Sequence, residues 1–274
     1  MTLTQTVQPS ARSHEWSHDE QGVLVGAARE APPRRLSGGW VVQIHDGAID
    51  VFERTGFRVP GDDRPGRARL LHCGAVLANL EVAVRVLGWV PVTVIGSAPE
   101  APDRIARITA GTRTTPSTRD RAEYRAVFGH RSRSDVDARR LSRALVEQLR
   151  PRLSGTGVRV RAVREGDAHA RLGERYRLAD HREHPGGCFA IAVRLESRSD
   201  LIRAGQAAQY LLLAAAELGA VGDFVITPFR YPKTRVSLAG ELALPGFVEL
   251  FVSIAIPEPR RVPLTDPEYP AARP

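Results

Sequence analysis

The sequence predicts an α+β fold: a mainly antiparallel sheet, two long central helices and an internal pseudo-twofold duplication. Three observations carry this. Residues 70–89, LLHCGAVLANLEVAVRVLGW, and 201–220, LIRAGQAAQYLLLAAAELGA, echo each other. At an offset of 131 they share Leu70/Leu201, Gly74/Gly205, Leu80/Leu211, Ala83/Ala214, Leu87/Leu218 and Gly88/Gly219. Second, both are apolar round most of the helical circumference, as buried helices are. Each ends in a glycine where a C-terminal cap belongs and runs into a strand-like stretch, VPVTVIG or VGDFVIT. Third, strands and helices mix without the regular βαβ alternation of a doubly wound sheet. The small residues Gly74, Ala75, Ala78, Gly205, Ala207 and Ala208 leave room for a second backbone or a flat ligand.

The elements follow in order. Residues 1–18 read as a disordered lead-in, and 19–274 as one domain of two half-units, 19–115 and 122–274. DEQGVLVGAAREA (19–31) is a short amphipathic helix with acids in its first turn, stopped by Pro32 and Pro33. WVVQI (40–44) and IDVFE (49–53) make a hairpin round His45–Asp46–Gly47. A polar connector, 54–69, leads to the first central helix and the strand after it. Pro99–Arg107 reads as a short helix. GTRTTPSTRDR (111–121) is linker-like and marks the boundary between halves. Residues 137–150 form an Arg-rich helix capped by Asp135. Strands follow at Val158–Val163 and Phe189–Leu195, with a polar stretch at 165–187 between them. Asp200 precedes the second central helix, and Phe224–Ile226 continue beyond it. Lys233–Ala243 is a helix, and GFVELFVSIAI (246–256) alternates as a core strand. The tail is proline-rich and extended.

Composition narrows the function classes. No run of 18 apolar residues exists, so no membrane span is expected. The N-terminus lacks a basic region followed by an apolar core, so no secretory signal is read, and the expected compartment is the cytoplasm. There Cys73 and Cys188 are expected to be free thiols. A net charge of +8 invites a nucleic-acid reading. Lys233 is the only lysine, however, and the arginines are spread among acids. That bias points to a GC-rich coding sequence, and no nucleic-acid partner is expected.

No dinucleotide fingerprint, Walker loop, HExxH or GxSxG appears. His181, His184 and Cys188, with His169 nearby, are the most metal-like group. Pro185, Gly186 and Gly187 break any helix that would align them, so a solvated loop is read there and no metal. His130–Arg131–Ser132 brings imidazole, guanidinium and hydroxyl together just before the expected 137–150 helix, which suits a phosphate. Arg260–Arg261, past the last core strand, can converge on the same anion.

Taken together, these pieces resemble the Acg-type branch of the nitroreductase family. The resemblance rests on the duplicated helices, the HRSRSD loop, the Thr227–Pro228 turn and EPRRVP. It covers most of residues 20–265 and is strongest at 70–90 and 199–265. It implies a single chain that mimics a two-chain dimer, with one FMN between its halves and no need of a further oligomer. The family's RRT-type phosphate motif falls on His130, Arg131 and Ser132, and its Pro-Arg-Arg on Pro259, Arg260 and Arg261. Trp40 and Thr227 would also contact cofactor. The family's PSxHNxQPW-like segment is PPRRLSGGW here (32–40), where only Pro32, Ser37 and Trp40 match. The family's His and Asn positions are Arg35 and Leu36 here, and its Gln position is Gly38, so the polar side chains that contact the flavin ring in the family are replaced. The chain is also shorter than the family round 165–187.

The resemblance implies an FMN-dependent oxidoreductase in which NADH or NADPH reduces flavin and flavin reduces a small-molecule acceptor. A different class stays open: a flavin-binding or flavin-sequestering protein with little turnover, motivated by the altered 32–40 segment.

Overall fold

A computed structural model describes residues 14–31, 39–56, 66–129, 138–139, 141–149, 157–163, 187–226, 229 and 231–258. The packed chain reaches back to His14, which stacks on Trp89 with ring centroids 4.4 Å apart. Trp16 is buried and donates its Nε1–H to the Gly47 carbonyl. Helix α1 (His18–Arg29) starts with a reciprocal box: Ser17 accepts from the Glu20 amide, and the Glu20 carboxylate accepts from the Ser17 amide.

Strands β1 (Trp40–His45) and β2 (Ala48–Glu53) form the expected hairpin. Asp46 and Gly47 turn it with φ of 46° and 73°, the mirror-image turn that matches strand twist. Helix α2 (Arg67–Val86) follows, then β3 (Trp89–Ile95), β4 (Arg104–Arg113) and α3 (Thr118–Gly129). The expected helix at 99–107 is not formed; that region enters β4. A bulge between β2 and β4 sets Val51 opposite Ala106 and Phe52 opposite Arg104, leaving Ile105 as the extra residue. Two successive residues, Ile105 and Ala106, are therefore buried, which disguises the strand's alternation. Of the linker-like stretch 111–121, only residues 114–117 lie between β4 and α3.

The second half opens with a two-residue strand β5 (Ala138–Arg139) and helix α4 (Arg143–Gln148). The long helix expected over 137–150, capped by Asp135, is thus replaced. Ser142 caps α4 by accepting from the Leu145 amide, and β5 is drawn off to pair with the last strand. Then come β6 (Arg159–Val163), β7 (Gly187–Val193), α5 (Arg198–Glu217), β8 (Val221–Val225), α6 (Pro232–Glu241) and β9 (Phe247–Pro257). Asp200 lies inside α5 rather than before it. Ser197 is the cap, accepting from the Asp200 amide at 3.1 Å.

All pairings among the described residues are antiparallel, in two sheets. The first has the order β1-β2-β4-β3. In the second, β6, β7, β9 and β8 follow the same path, with β5 added beside β9. Each half is therefore an antiparallel strand pair, a long helix and a further pair of strands, which is the topology a duplication requires. One addition breaks the likeness. Helix α6, inserted between β8 and β9, packs Leu238, Ala239 and Leu242 with Phe229 over Cys188, Ala190 and Phe251.

The central helices touch through backbone. A Cβ on Gly74 would lie 2.7 Å from the Gln206 nitrogen and closer still to the Ile202 carbonyl. A Cβ on Gly205 would lie 2.6 Å from the Leu71 carbonyl carbon and closer still to its oxygen. Leu71 and Ile202 are themselves counterparts at the offset of 131. The contact is thus reciprocal, as a twofold demands. Gly88 and Gly219 end the two helices at φ of 89° and 73°.

Cys73 and Cys188 are unbridged and buried. Burial pushes the Cys73 thiol up to about 12, and the Glu53 charge adds to it. Labelling by a thiol reagent in the native state is expected to be roughly a thousandfold or more slower than in urea, because only the unfolded fraction reacts. Prompt labelling of either cysteine in buffer would contradict the packing.

Candidate functional site at the helix N-termini

Each central helix begins with an arginine that crosses to the opposite sheet. Arg67, first in α2, donates to the Glu249 carboxylate on β9 at 2.9 Å and to the Glu249 carbonyl at 2.8 Å. Arg198, first in α5, pairs with Glu53 on β2 at 2.9 Å. Arg67 and Arg198 stand at the same offset of 131.

The surroundings then diverge. Glu53 is also held by Arg69 at 3.0 Å. On the other side, Arg67 and Arg235 both donate to the Phe229 carbonyl, at 3.0 and 2.6 Å. Arg235 also pairs with Glu196. Glu249 is fully buried, and its Oε1, 3.9 Å from Arg235 Nε, has no hydrogen-bond partner among the described residues. Burial pushes the Glu249 carboxyl up to about 7, against the pull of Arg67 and Arg235.

Further along, a polar belt joins the helices. Gln209 donates to Asn79 at 2.8 Å, and Asn79 donates to the Ala27 carbonyl. Glu81 accepts from Gln206 at 2.8 Å and from the Tyr210 hydroxyl at 2.6 Å. Arg85 donates to Tyr210 and Glu123. These joined side chains fix register between two largely apolar helices, although Gln209 Oε1 and Arg85 Nε find no hydrogen-bond partner among the described residues.

His72, beside Cys73 on α2, is buried, and burial alone lowers its pKa to about 4. The unfolded chain takes up this proton near pH 6.5, the folded one only near 4. Falling pH across that window therefore favours the unfolded state, by up to about 3 kcal/mol. Urea unfolding of His72→Gln should lose that part of the acid dependence. A wild-type slope retained in full would sink the assignment.

Of the sequence-predicted site residues, only Trp40 lies among those described. It opens β1 opposite Glu53 and packs half-buried against the cluster round α2. The Cys73 thiol faces the neighbouring Gly39 carbonyl at 4.0 Å. His130, Arg131, Ser132, Thr227, Pro228, Arg260 and Arg261 lie outside the described residues, as do His169, His181 and His184. No group of three or more metal-ligating side chains is found among the described residues.

The flanks of those residues are informative. Ala138 pairs with Pro257 and Arg139 with Ile256. Ser132 stands six positions before one paired residue, and Arg260 three after the other. Gly129, before His130, ends α3, and the helix expected over 137–150 is not formed, since Ala138–Arg139 are strand β5. Without that helix, no helix dipole from 137–150 favours an anion there. Val225, by contrast, pairs with Phe251. The flanks of Thr227 and those of Arg260 are thus about 20 Å apart along β9. Phe229, on the Thr227 side, belongs to the Arg67–Arg235 cluster.

The arginine-glutamate crossings were not read from the sequence. The signal was present: carrying the offset of 131 back three residues from Leu70/Leu201 aligns Arg67 with Arg198.

None of the models of known protein families matches this sequence, and no curated protein resembles it significantly. Solved structures do resemble it. A protein from Anabaena variabilis assigned as a nitroreductase superposes with a TM-score of 0.56 over 89% of this chain and 74% of its own, at 14% identity. The fold is nitroreductase-like. Nitroreductase A from Vibrio parahaemolyticus gives 0.39 over 56% of this chain and 78% of its own, at 14% identity. A protein from Desulfovibrio desulfuricans assigned as a nitroreductase, in complex with FMN, gives 0.39 over 56% of this chain and 98% of its own, at 18% identity. No helix among the described residues is long and apolar enough to cross a membrane.

Proposed function

We propose that the chain is an FMN-dependent oxidoreductase of nitroreductase type, of the Acg-like single-chain form, acting in the cytoplasm on a small-molecule acceptor. The observation that carries this beyond fold is the β5–β9 pairing. It sets Ala138, six positions after Ser132, opposite Pro257, three positions before Arg260.

The donor set fits a phosphate monoester. Arg67, Arg69, Arg198 and Arg235 are each committed to a carboxylate. By the resemblance, the phosphate would be held by Arg131, Ser132, Arg260 and Arg261, with His130 beside them. The central helices, in backbone contact at Gly74 and Gly205, leave no slot for a ring between them and can serve only as its floor. Bound FMN would supply the chemistry, taking a hydride from NADH or NADPH and passing electrons to the acceptor. Both halves belong to one chain, so the site needs no second copy.

Replacing Arg131 with Ala should weaken FMN binding by about ten- to several-hundred-fold, the loss of one or two charge-assisted hydrogen bonds. Riboflavin, which has no phosphate, should be unaffected. Fluorescence titration checks both. Purified protein that is colourless and takes up no added FMN would overturn the proposal.

The altered PPRRLSGGW segment favours a second reading, a flavin binder with little turnover. Holoprotein mixed anaerobically with NADH or NADPH separates the two: rapid flavin bleaching marks the enzyme, and a persistently oxidised spectrum marks the binder.

A further inference from the structure

We propose that the outer face of β3, carrying Val90, Val92 and Val94, is the surface through which two copies of this chain pair about a twofold axis at Val92, whatever ligand the chain binds.

Strand alternation sorts β3 into two faces. Thr93 donates to Glu81 on α2, and Trp89 and Ile95 pack on the cluster round that helix. The even-numbered residues therefore point away from the core. All three are valines, 43%, 49% and 62% exposed in chain order. Solvent faces of antiparallel sheets are ordinarily polar, so a run of three exposed valines calls for a cover.

The repeat shows what such a face is built for. At the offset of 131, Val90 and Val94 match Val221 and Val225 on β8. Val221 is buried, and Val225 packs on the cluster of Phe229, Leu238 and Leu242 that α6 closes. The β3–β4 link, residues 96–103, is too short to hold an equivalent of α6. The first half thus carries the stripe without the helix.

Two features select a second copy, docked through side chains, as the cover. The free edge of β3 is a poor template for an added strand. Gly96 donates to the Ile105 carbonyl, so Val92 and Val94 turn their backbone groups to β4, and Pro91, Thr93 and Ile95 turn theirs to the open edge. Proline there removes a donor that a new strand would need. The ends of the stripe also carry opposite charge. Arg113, paired with Trp89, is exposed at the Val90 end. Glu100, in the link after Ile95, is exposed at the Val94 end. Arg107, beside Val94, is neutralised by Asp50 at 2.6 and 2.7 Å. A twofold through Val92 sets Val92 on Val92 and Val90 on Val94, and brings each Arg113 towards the partner's Glu100. An apolar stripe with a base at one end and an acid at the other is complementary to itself in this antiparallel sense.

Four strands of about six residues, about 4.8 Å apart, present a flat face of about 400 Å2, half of what each partner gives a standard interface. The dimer should therefore be weak, with a dissociation constant on the order of 10–100 µM.

The test is sedimentation of the full chain between about 1 µM and 1 mM, a range that brackets this constant. Wild type should pass from monomer to dimer across it. Val92→Arg, which sets two like charges on the axis, should weaken the dimer at least tenfold. Val236→Arg, at an equally exposed valine on α6, should change nothing. Glu100→Arg and Arg113→Glu should each weaken the dimer about three- to tenfold. The double reversal should restore it, because the end pairs re-form with their signs exchanged. Circular dichroism at low concentration checks that each variant is folded, and the reversals carry the test should Val92→Arg fail to fold. Wild type monomeric at every concentration, Val92→Arg dimerising as well as wild type, or Val236→Arg losing the dimer to the same degree would each overturn the inference. So would a double reversal that dimerises no better than the single ones, since the copies would then not meet antiparallel.

Discussion

Gly205→Ala should cost about 3 kcal/mol or more in urea unfolding, or prevent folding outright. The added methyl would meet the Leu71 backbone, which cannot rotate away as a side chain can. Relief requires the two helices to separate, and separation strains the polar belt and both arginine crossings. Overpacking usually costs 1–3 kcal/mol, and backbone-on-backbone contact belongs at the top of that range or above it. Gly74→Ala should behave alike, since the contact is reciprocal. Gly22→Ala on α1 is the control: a Cβ there meets nothing within 4 Å, so the helix should gain up to about 1 kcal/mol. Gly205→Ala as stable as wild type would mean that the helices do not meet at this point.

The second large effect concerns Arg67. Arg67→Met leaves fully buried Glu249 without its nearest counter-charge and should cost about 3–5 kcal/mol. Removing both partners, as Arg67→Met with Glu249→Leu, should recover much of that loss, because no buried charge is then stranded between them. Arg198→Met occupies the same repeat position but should cost under about 1 kcal/mol. Its side chain is 41% exposed, and Glu53 keeps Arg69. Similar costs for the two arginines would refute the asymmetry between halves.

Much of this fold was legible in the sequence, and the reason is specific. The paired glycines at 74 and 205 lay in register because both meet a backbone, and no other residue permits that. Hairpin β1–β2 declared itself through Asp46–Gly47 and alternation on both sides. Strand β4 did not, since one bulged residue shifts its pattern by half a period. The start of the second half was misread because its apolar spacing suits a helix, whereas residues 138–139 are claimed by the far end of β9. That claim comes from a partner more than a hundred residues away, beyond the reach of local periodicity. Of the proposed site, the basic stretches are read from the sequence alone. The Arg67–Glu249–Arg235 cluster is not legible there, because its members are single charged residues scattered through 67, 196, 235 and 249, and nothing short of the fold collects them.

The short connector at 114–117 has a consequence for how the molecule assembles. Every strand pairing among the described residues lies within one half, so each sheet can form from its own stretch of chain. The central helices, by contrast, meet across 131 positions. The contacts with the largest loop-closure cost are thereby gathered at one seam, and docking of preformed halves is the step that joins them. Cleavage within 114–117 would cut no strand and no helix. The two fragments it releases should remain associated through that seam, and each should carry one arginine that finds its glutamate only on the other.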